Sequence, residues 1–327
     1  MLEFVRRLYY GSNCGHLVLG FPRKLYHMYR FRLVPEEPFI KQHFKRIFGH
    51  VPNLRDPKTL NEKIQWLKLH DRTPLQTQCA DKYAVRRYVT EKIGAEYLVP
   101  LFYSTEDPSD IVPENLPNTP FIVKATHGSS GGAMVKDKSE IDWKTLRKSL
   151  RKLLCQNYYY ESKEWPYKNI KPRIVVEELL SDENGNIPFD YKIHCFNGQP
   201  RIIHVDLDRF TGHKRNLYDT QWNLLPFTWC EWGDGKPLWP NGRDVRRPVQ
   251  LEQMLEIAQA LSSEFLYARI DLYEISGRLY FGEITFHHGS GTEIFTPSEW
   301  DRKLGDMLKL PHECLGVSRE SGRDYDR

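Results

Sequence analysis

The chain of 327 residues is 40% hydrophobic, 28% charged and 13% aromatic. This is an ordinary globular balance, so a chain unable to build a core is excluded and one or two domains are expected. A net charge of +4 is too small to call for a nucleic-acid partner.

The N-terminal stretch carries more than that surplus. Residues 1–46 hold nine Lys/Arg against three acids, interleaved with Phe, Tyr and Leu. The pattern suits contact with an anionic membrane surface or an anionic glycan, and equally a packing arm whose basic face is solvated. Its apolar run "HLVLGF" is too short for a signal sequence or a span. A cytoplasmic protein is therefore expected, with the inner face of the membrane as the surface residues 1–46 would touch. The six cysteines (14, 79, 155, 195, 230 and 314) show no ligand spacing and are expected reduced and mostly buried.

In chain order, "NLRDPKTLNEKIQWLKLHDRTP" has a capping-box pattern at Thr59 and Glu62 and reads as a helix closed by Pro74. "TQCADKYAVRRYVTEKIG" reads as one helix, with Ala80, Tyr83, Ala84 and Tyr88 on a shared face and Gly94 as its stop. "LPNTPFIVKATHGSSGGAMV" is strand, glycine-rich turn and strand, and "DWKTLRKSLRKLLCQN" is a basic amphipathic helix. Strands then dominate. "RIVVEELL" leads to a turn at Asn184-Gly185, and "DYKIHCFNGQPRIIHVDLDRF" gives two strands joined by Asn197-Gly198. "LEQMLEIAQALSSEF" is a helix with an apolar stripe, and "YARIDLYEISGRLYFGEITF" is a second hairpin. The polar tail 313–327 is expected to fray. Hairpins with helices packed to one side predict an α+β fold of antiparallel sheets.

Four stretches carry chemistry. In "FIVKATHGSSGGAMV", Lys124 ends an apolar strand and a Gly/Ser loop follows. Such a loop lets backbone N–H groups approach phosphate oxygens, with the lysine adding positive charge; a mobile turn is the plainer explanation. In "VVEELL", alternation sends Glu177 and Glu178 to opposite sides, and one carboxylate there would hold a nucleotide's ribose and adenine, unless the strand end simply meets solvent. In "ARIDLY" and "YFGEITF", Arg269 and Asp271 share a face, as do Glu283, Thr285 and His287. A three-residue loop of Ser276, Gly277 and Arg278 sets Asp271 opposite Glu283; a two-residue Ser-Gly turn sets them on opposite faces. Paired carboxylates call for a cation between them, and Mg²⁺ fits. In "DYKIHCFNGQPRI", Lys192 and His194 share a face that Arg201 is expected to join, a basic cluster within reach of phosphate. A charged edge strand accounts for it too.

The order of these parts, a lysine with a Gly/Ser loop, Glu-Glu ending a strand, a basic hairpin, then Arg-x-Asp and Glu-x-Thr on a last hairpin, resembles the ATP-grasp superfamily. Over about residues 40–310 the chain resembles more narrowly the TupA-like ATP-grasp family of teichuronopeptide and surface-polysaccharide biosynthesis, through "DPKTLNEKIQWLKLHDR", "ADKYAVRRYVTEKIG" and "FIVKATHGSSGG". The resemblance implies two α+β subdomains clamping ATP between antiparallel sheets: a basic helical region 1–75, then an ATP-grasp domain 76–312 divided into a lysine and glycine-loop part (76–176) and a metal-binding part (177–312). It also implies roles. Lys82 and Lys124 resemble the two ATP-contacting lysines, and Ser129, Ser130, Gly131 and Gly132 the lid over the β- and γ-phosphates. Glu177, Glu178, Leu179 and Leu180 resemble the segment gripping adenine and ribose, with Glu178 as its carboxylate. Lys192 is similar to a phosphate-side basic residue, and Arg269 to the arginine that steadies the transferred phosphoryl group. Asp271 and Glu283 resemble the magnesium ligands. Thr285 stands where an asparagine ligand is usual.

The implied activity is an ATP-dependent carboxylate–amine ligase working through an acyl phosphate. Its cofactors would be ATP and Mg²⁺, and its substrates an acidic glycan or peptide carboxylate and an amine donor, as in capsule, exopolysaccharide or cell-wall modification. Arg201, Lys214, Arg215 and His287 are the candidate substrate contacts. The Trp-rich "WNLLPFTWCEWGDGKPLWP" offers flat faces for sugars, or is a structural insertion. The alternative is a glycosyltransferase using Asp206 and Asp208 as a metal-binding DxD. A scaffold without catalysis is a third reading, against which the joint presence of Lys82, Lys124, Arg269, Asp271 and Glu283 weighs.

Overall fold

The computed structural model describes residues 32–128, 132–183, 185–208 and 212–314. The helices in chain order are α1 (Glu36–Phe48), α2 (Leu60–His70), α3 (Pro74–Ala80), α4 (Val85–Ile93), α5 (Trp143–Leu154), α6 (Tyr158–Ser162), α7 (Leu251–Ser262), α8 (Glu299–Met307) and α9 (Pro311–Cys314). The capping box at Thr59 and Glu62 is present and starts α2. Pro74 does not close that helix. It opens the next one from its first turn, behind a second capping box of Thr73 and Gln76, where its missing N–H costs nothing. The expected single helix after it is broken between Ala80 and Val85, because the Lys82 backbone N–H donates to the Thr126 carbonyl at 3.2 Å. Tyr83 consequently faces solvent instead of the core. Gly94, at φ +110°, ends α4 as the sequence predicts.

Strands β1 (Leu101–Thr105), β2 (Phe121–Ala125), β3 (Gly132–Val135) and β4 (Ile174–Glu178) form a sheet of order β1-β4-β2-β3. One face, with Phe121, Val123, Ile174 and Val176, packs on Leu150 of α5. Strands β5 (Asp190–Phe196), β6 (Gln199–Leu207), β7 (Lys214–Tyr218), β11 (Tyr267–Ile275) and β12 (Arg278–Thr285) form the second sheet, of order β12-β11-β5-β6-β7. Between β7 and β11 run β8 (Thr228–Cys230) and a ribbon of β9 (Trp232–Gly233) and β10 (Lys236–Pro237); β13 (Ile294–Thr296) pairs with β8. All pairings within the two larger sheets are antiparallel.

Alternation gives the second sheet two unlike faces. Ile193, Cys195, Ile203, Val205, Ile270 and Leu272 point one way, into the main core against α4 and α7. The other face is graded along its strands. Acids and bases crowd the end toward the first sheet, histidines occupy the middle, and Tyr267, Ile202 and Leu217 at the far end pack with α2, α8 and Trp229. The described cysteines 79, 155, 195 and 230 are free, and all but Cys155 are buried. No described helix is long and apolar enough to cross a membrane. Most of the basic N-terminal arm lies outside the described residues; the part within α1 buries Phe39, Ile40 and Phe44.

Candidate active site

A cleft of about 940 Å³ opens between the polar faces of the two sheets. From the first sheet it receives Ile122, Lys124, Gly132 and the run Glu177, Glu178, Leu179 and Leu180; from the second, Lys192, Asp206, Arg269, Asp271, Glu283 and Thr285; from the α3–α4 junction, Lys82 and Arg86. Residues far apart in sequence are thus brought together in one cleft. Ser129, Ser130 and Gly131 lie outside the described residues. Gly132 is described, and its position excludes a side chain: a Cβ would come 2.3 Å from the Val123 carbonyl oxygen.

The carboxylate pair forms by an unexpected route. The loop is the two residues Ser276 and Gly277, with φ of +49° and +75°, an arrangement matched to the twist of paired strands. Continued regularly, that register sets Asp271 opposite Gly282. The ladder slips by one residue instead, so that Leu272 faces Phe281 and Asp271 faces Glu283, with Gly282 left over as a bulge. A similar slip in the first hairpin has the reverse effect. Phe196 faces Gln199 and Cys195 faces Pro200, but His194 faces Ile202, leaving Arg201 as the extra residue. Arg201 is exposed and does not join Lys192 and His194 on the cleft face; His204 takes the place opposite Lys192. Lys214 also falls outside the lining, beside Leu207 and Gly242, whereas its neighbour Arg215 is in it.

Arg269 lies at the centre. It donates to both Asp271 oxygens at 2.7 Å and to Glu283 Oε1 at 2.7 Å, a charge-assisted fork that satisfies both acids at once. Burial pushes the Asp271 carboxyl up, to about 7, against the pull of Arg269 and Lys192. Burial also acts to raise Glu283, but Lys82 first, then Arg269, Lys192 and Lys124, outweigh it and hold this carboxylate down to about 2. Lys82 joins the two halves of the cleft, donating to the Gly128 carbonyl at 2.7 Å and standing 3.5 Å from Glu283. These acids fit a magnesium ion. They are facing oxygen donors, they keep a cation between them, and Glu283 remains 35% exposed to the cleft. The Thr285 hydroxyl donates to Glu283 at 3.3 Å, so it steadies that carboxylate.

On the first sheet, Glu177 is the buried acid, bridging Lys124 at 3.1 Å and Arg86 at 3.3 Å. Glu178 is half-buried and lines the cleft beside it, while the backbone N–H groups of Glu178 and Leu179 are taken by the Pro100 and Pro120 carbonyls. On the second sheet a further acid cluster emerges. Lys192 pairs with Asp190, with Asp206 at 3.3 Å and with Asp271 at 4.0 Å. Asp206 also meets His204 at 3.0 Å, His213 at 2.9 Å and Arg215 at 3.1 Å. Those partners outweigh its burial and hold the Asp206 carboxyl far below the usual range. Asp208, two residues on, is exposed with φ +49° beyond the end of β6. The DxD residues therefore do not act as a pair: one is enclosed by cations and the other faces solvent. Asp190 and His204 were not singled out in the sequence, and Asp206 only as half of the DxD, although "DYKIH" and "HVD" show the alternation that places them beside Lys192.

The far end of the cleft is lined by His213, Arg215, Glu231 and Trp239, with the Arg215 guanidinium 4.4 Å from the Trp239 ring. The other tryptophans of the insertion differ: Trp229 is buried, Trp222 stacks on Tyr218 at 4.2 Å, and Trp232 is exposed. His287 lines the cleft 3.7 Å from Glu164. His288 lies behind it and accepts from Arg269 at 2.8 Å. The Gly-Ser-Gly turn after them, with φ of +54°, +57° and +65°, is tied to α2 by Gln65 and Lys68, which donate to the Ser290 and Gly291 carbonyls.

Comparison with known proteins supplies the context. The family model described as TupA-like ATPgrasp matches residues 62–309. Among solved structures, a D-alanine–D-alanine ligase from Bacillus anthracis complexed with ATP is 17% identical, with a TM-score of 0.41, over 71% of this chain and 65% of that one. The ATP-grasp ligase PsnB complexed with a minimal precursor is 14% identical, with a TM-score of 0.36, over 72% and 61%. A D-alanine–D-alanine ligase from Helicobacter pylori is 15% identical, with a TM-score of 0.38, over 76% and 69%. The chain spans just under two thirds of the length of the first of these. No curated protein matches it.

Proposed function

We propose that this chain, which belongs to the TupA-like ATP-grasp family, is an ATP-dependent ligase that joins a carboxylate to an amine. The observation that carries the reading is the charge arrangement. Lys82, Lys124, Lys192 and Arg269 surround two facing carboxylates in a cleft between two sheets. Phosphoryl transfer to a carboxylate asks mainly for positioning and charge neutralisation, which such a set supplies.

ATP lies between the sheets, its base and ribose against Glu178, Leu179 and Leu180 and its phosphates toward Lys82, Lys124 and Gly132. Asp271 and Glu283 would hold magnesium, with Thr285 steadying Glu283; when bound, the ion neutralises phosphate charge. Lys192 and Arg269 steady the group in transfer. An oxygen of the substrate carboxylate attacks the γ-phosphorus, the bond to ADP breaks, and an acyl phosphate forms. The amine nitrogen then attacks the acyl carbon and loses a proton, and phosphate leaves. Arg215, His213 and Trp239 favour an acidic sugar as the carboxylate substrate, since an aromatic face stacks on a sugar ring and the cations attract its acid. A capsular, exopolysaccharide or cell-wall glycan meets that description, and residues 1–46 suit contact with such a polymer or with the membrane on which it is built.

The test is ADP release by the purified protein with Mg·ATP across a panel of amino acids and uronic-acid glycans. Release that requires both an amine and a carboxylate, and is lost in a folded Asp271→Asn variant, is expected. Consumption of a sugar nucleotide without ATP would sink the reading.

A further inference from the structure

Three histidines meet behind Arg269 and Asp271, where phosphate chemistry leaves them without a role. His194 on β5, His204 on β6 and His288 just after β12 are all buried. One ring nitrogen from each lies within 4.8 Å of the others. The His194 and His204 rings stack, 9° apart at 5.7 Å, and His288 stands edge-on to them at 4.8 and 5.5 Å. Trp229 closes the group, 4.5 Å from His194 and 4.6 Å from His288.

Hydrogen bonding decides which nitrogens are available. His204 Nε2 lies 3.0 Å from Asp206 Oδ1. An ionised carboxylate only accepts, so Nε2 carries the proton and the lone pair is on Nδ1. His194 is held at Nδ1 by the Tyr267 hydroxyl at 2.8 Å. The remaining nitrogens, His204 Nδ1 and His194 Nε2, are buried without a hydrogen-bond partner among the described residues. Two such unpartnered atoms within one buried cluster are a cost the fold would not ordinarily bear. His288 is held on both sides, by Arg269 at Nδ1 (2.8 Å) and by Glu293, 3.0 Å from Nε2. Burial keeps all three imidazoles in the neutral form, the form that binds metals.

From this geometry we infer a second cation site, separate from the Asp271–Glu283 pair, in which His194, His204 and His288 bind one divalent transition ion of the zinc class. Nitrogen donors select Zn²⁺ and its neighbours over Mg²⁺. Tyr267, Asp206 and Glu293 already stand at the ring nitrogens opposite the ion, as the groups that orient metal-bound histidines do. His288 ligates through Nδ1 by exchanging its contact with Arg269, while Glu293 stays at Nε2. Asp206 and Glu293 set negative charge against Arg215 and Arg269 around the ion. Its effect is to fasten β5, β6 and the loop after β12 behind Arg269, whatever reaction the cleft performs.

The test needs no substrate. The full chain is stripped with chelator and re-equilibrated with ZnCl₂ or CoCl₂. One ion retained per chain after gel filtration is expected, with ligand-field absorption from the Co²⁺ form. A rise in Tm with ZnCl₂ that MgCl₂ does not reproduce is expected as well. Tyr267→Phe removes only the hydroxyl outside the rings and should weaken Zn²⁺ about 10- to 100-fold; His204→Gln should abolish retention. Should His204→Gln fail to fold, the wild-type stoichiometry and Tyr267→Phe decide. A wild-type chain that retains no ion overturns the inference, and so does Zn²⁺ affinity unchanged by Tyr267→Phe and by any folded His204→Gln.

Discussion

Asp271 faces Glu283 across the last hairpin because Gly282 bulges out of the ladder between them and the turn. A Cβ on Gly282 would come 3.0 Å from the Tyr273 ring and 3.1 Å from the Asp271 carbonyl oxygen. Gly282→Val should therefore disturb the pair at its base. The expected outcome is a folded protein less stable by about 1–3 kcal/mol whose Mg·ATP turnover falls at least about tenfold, equivalent to about 1.4 kcal/mol in the barrier. Circular dichroism, thermal unfolding and ADP release check it. Turnover equal to wild type would mean that the bulge does not position the acids.

Lys82 is the largest pull against the burial of Glu283 and also holds Gly128 at 2.7 Å. Lys82→Met should raise the KM for ATP and release the Glu283 carboxyl upward from about 2. The sign follows directly: the variant's Glu283 protonates at higher pH, so its Mg²⁺ requirement should steepen on acidification more than that of the wild type, in which Asp271, at about 7, is the acid that titrates over this range. Mg²⁺ titrations of turnover at pH 5 and pH 7 measure this. Parallel titrations for the two proteins would contradict it.

Asp301 tests the packing of α8 on α2. Its carboxylate accepts the Asn61 backbone N–H at 2.9 Å and side-chain amide at 3.0 Å, yet burial pushes it up to about 6. A folded pKa above the unfolded value means that the native state takes up a proton. This contribution is full below the unfolded value and is lost as pH rises through 6. The difference from 3.8 amounts to about 3 kcal/mol between the extremes. Asp301→Asn should flatten the stability–pH curve between pH 4 and pH 7, read by denaturant unfolding. A curve with the wild-type slope would refute the assignment.

Local signals in the sequence revealed much of this fold. The Thr59–Glu62 capping box, the Asn197-Gly198 turn and the stop at Gly94 act over a few residues, and each stands where it was read. Register was not legible, because each bulge arises from packing across strands. The extra residue at Gly282 produces the acid pair that a two-residue turn alone forbids, and the extra residue at Arg201 removes that side chain from the cleft. Pro74 was misread because a proline that ends one helix and one that begins the next look alike when the linker is short. The buried cluster of Asp190, His204 and Asp206 had a signal in its period-two spacing, and its meaning depended on which strands are neighbours.

The most direct test of acyl-phosphate chemistry in the cleft is isotope transfer. The carboxylate substrate found by the ADP-release panel is labelled with ¹⁸O in its carboxyl group and turned over with Mg·ATP and the amine, and the released phosphate is analysed by mass spectrometry. Attack of the carboxylate on the γ-phosphorus predicts one ¹⁸O in each phosphate. Unlabelled phosphate accompanying the same amount of joined product would contradict it.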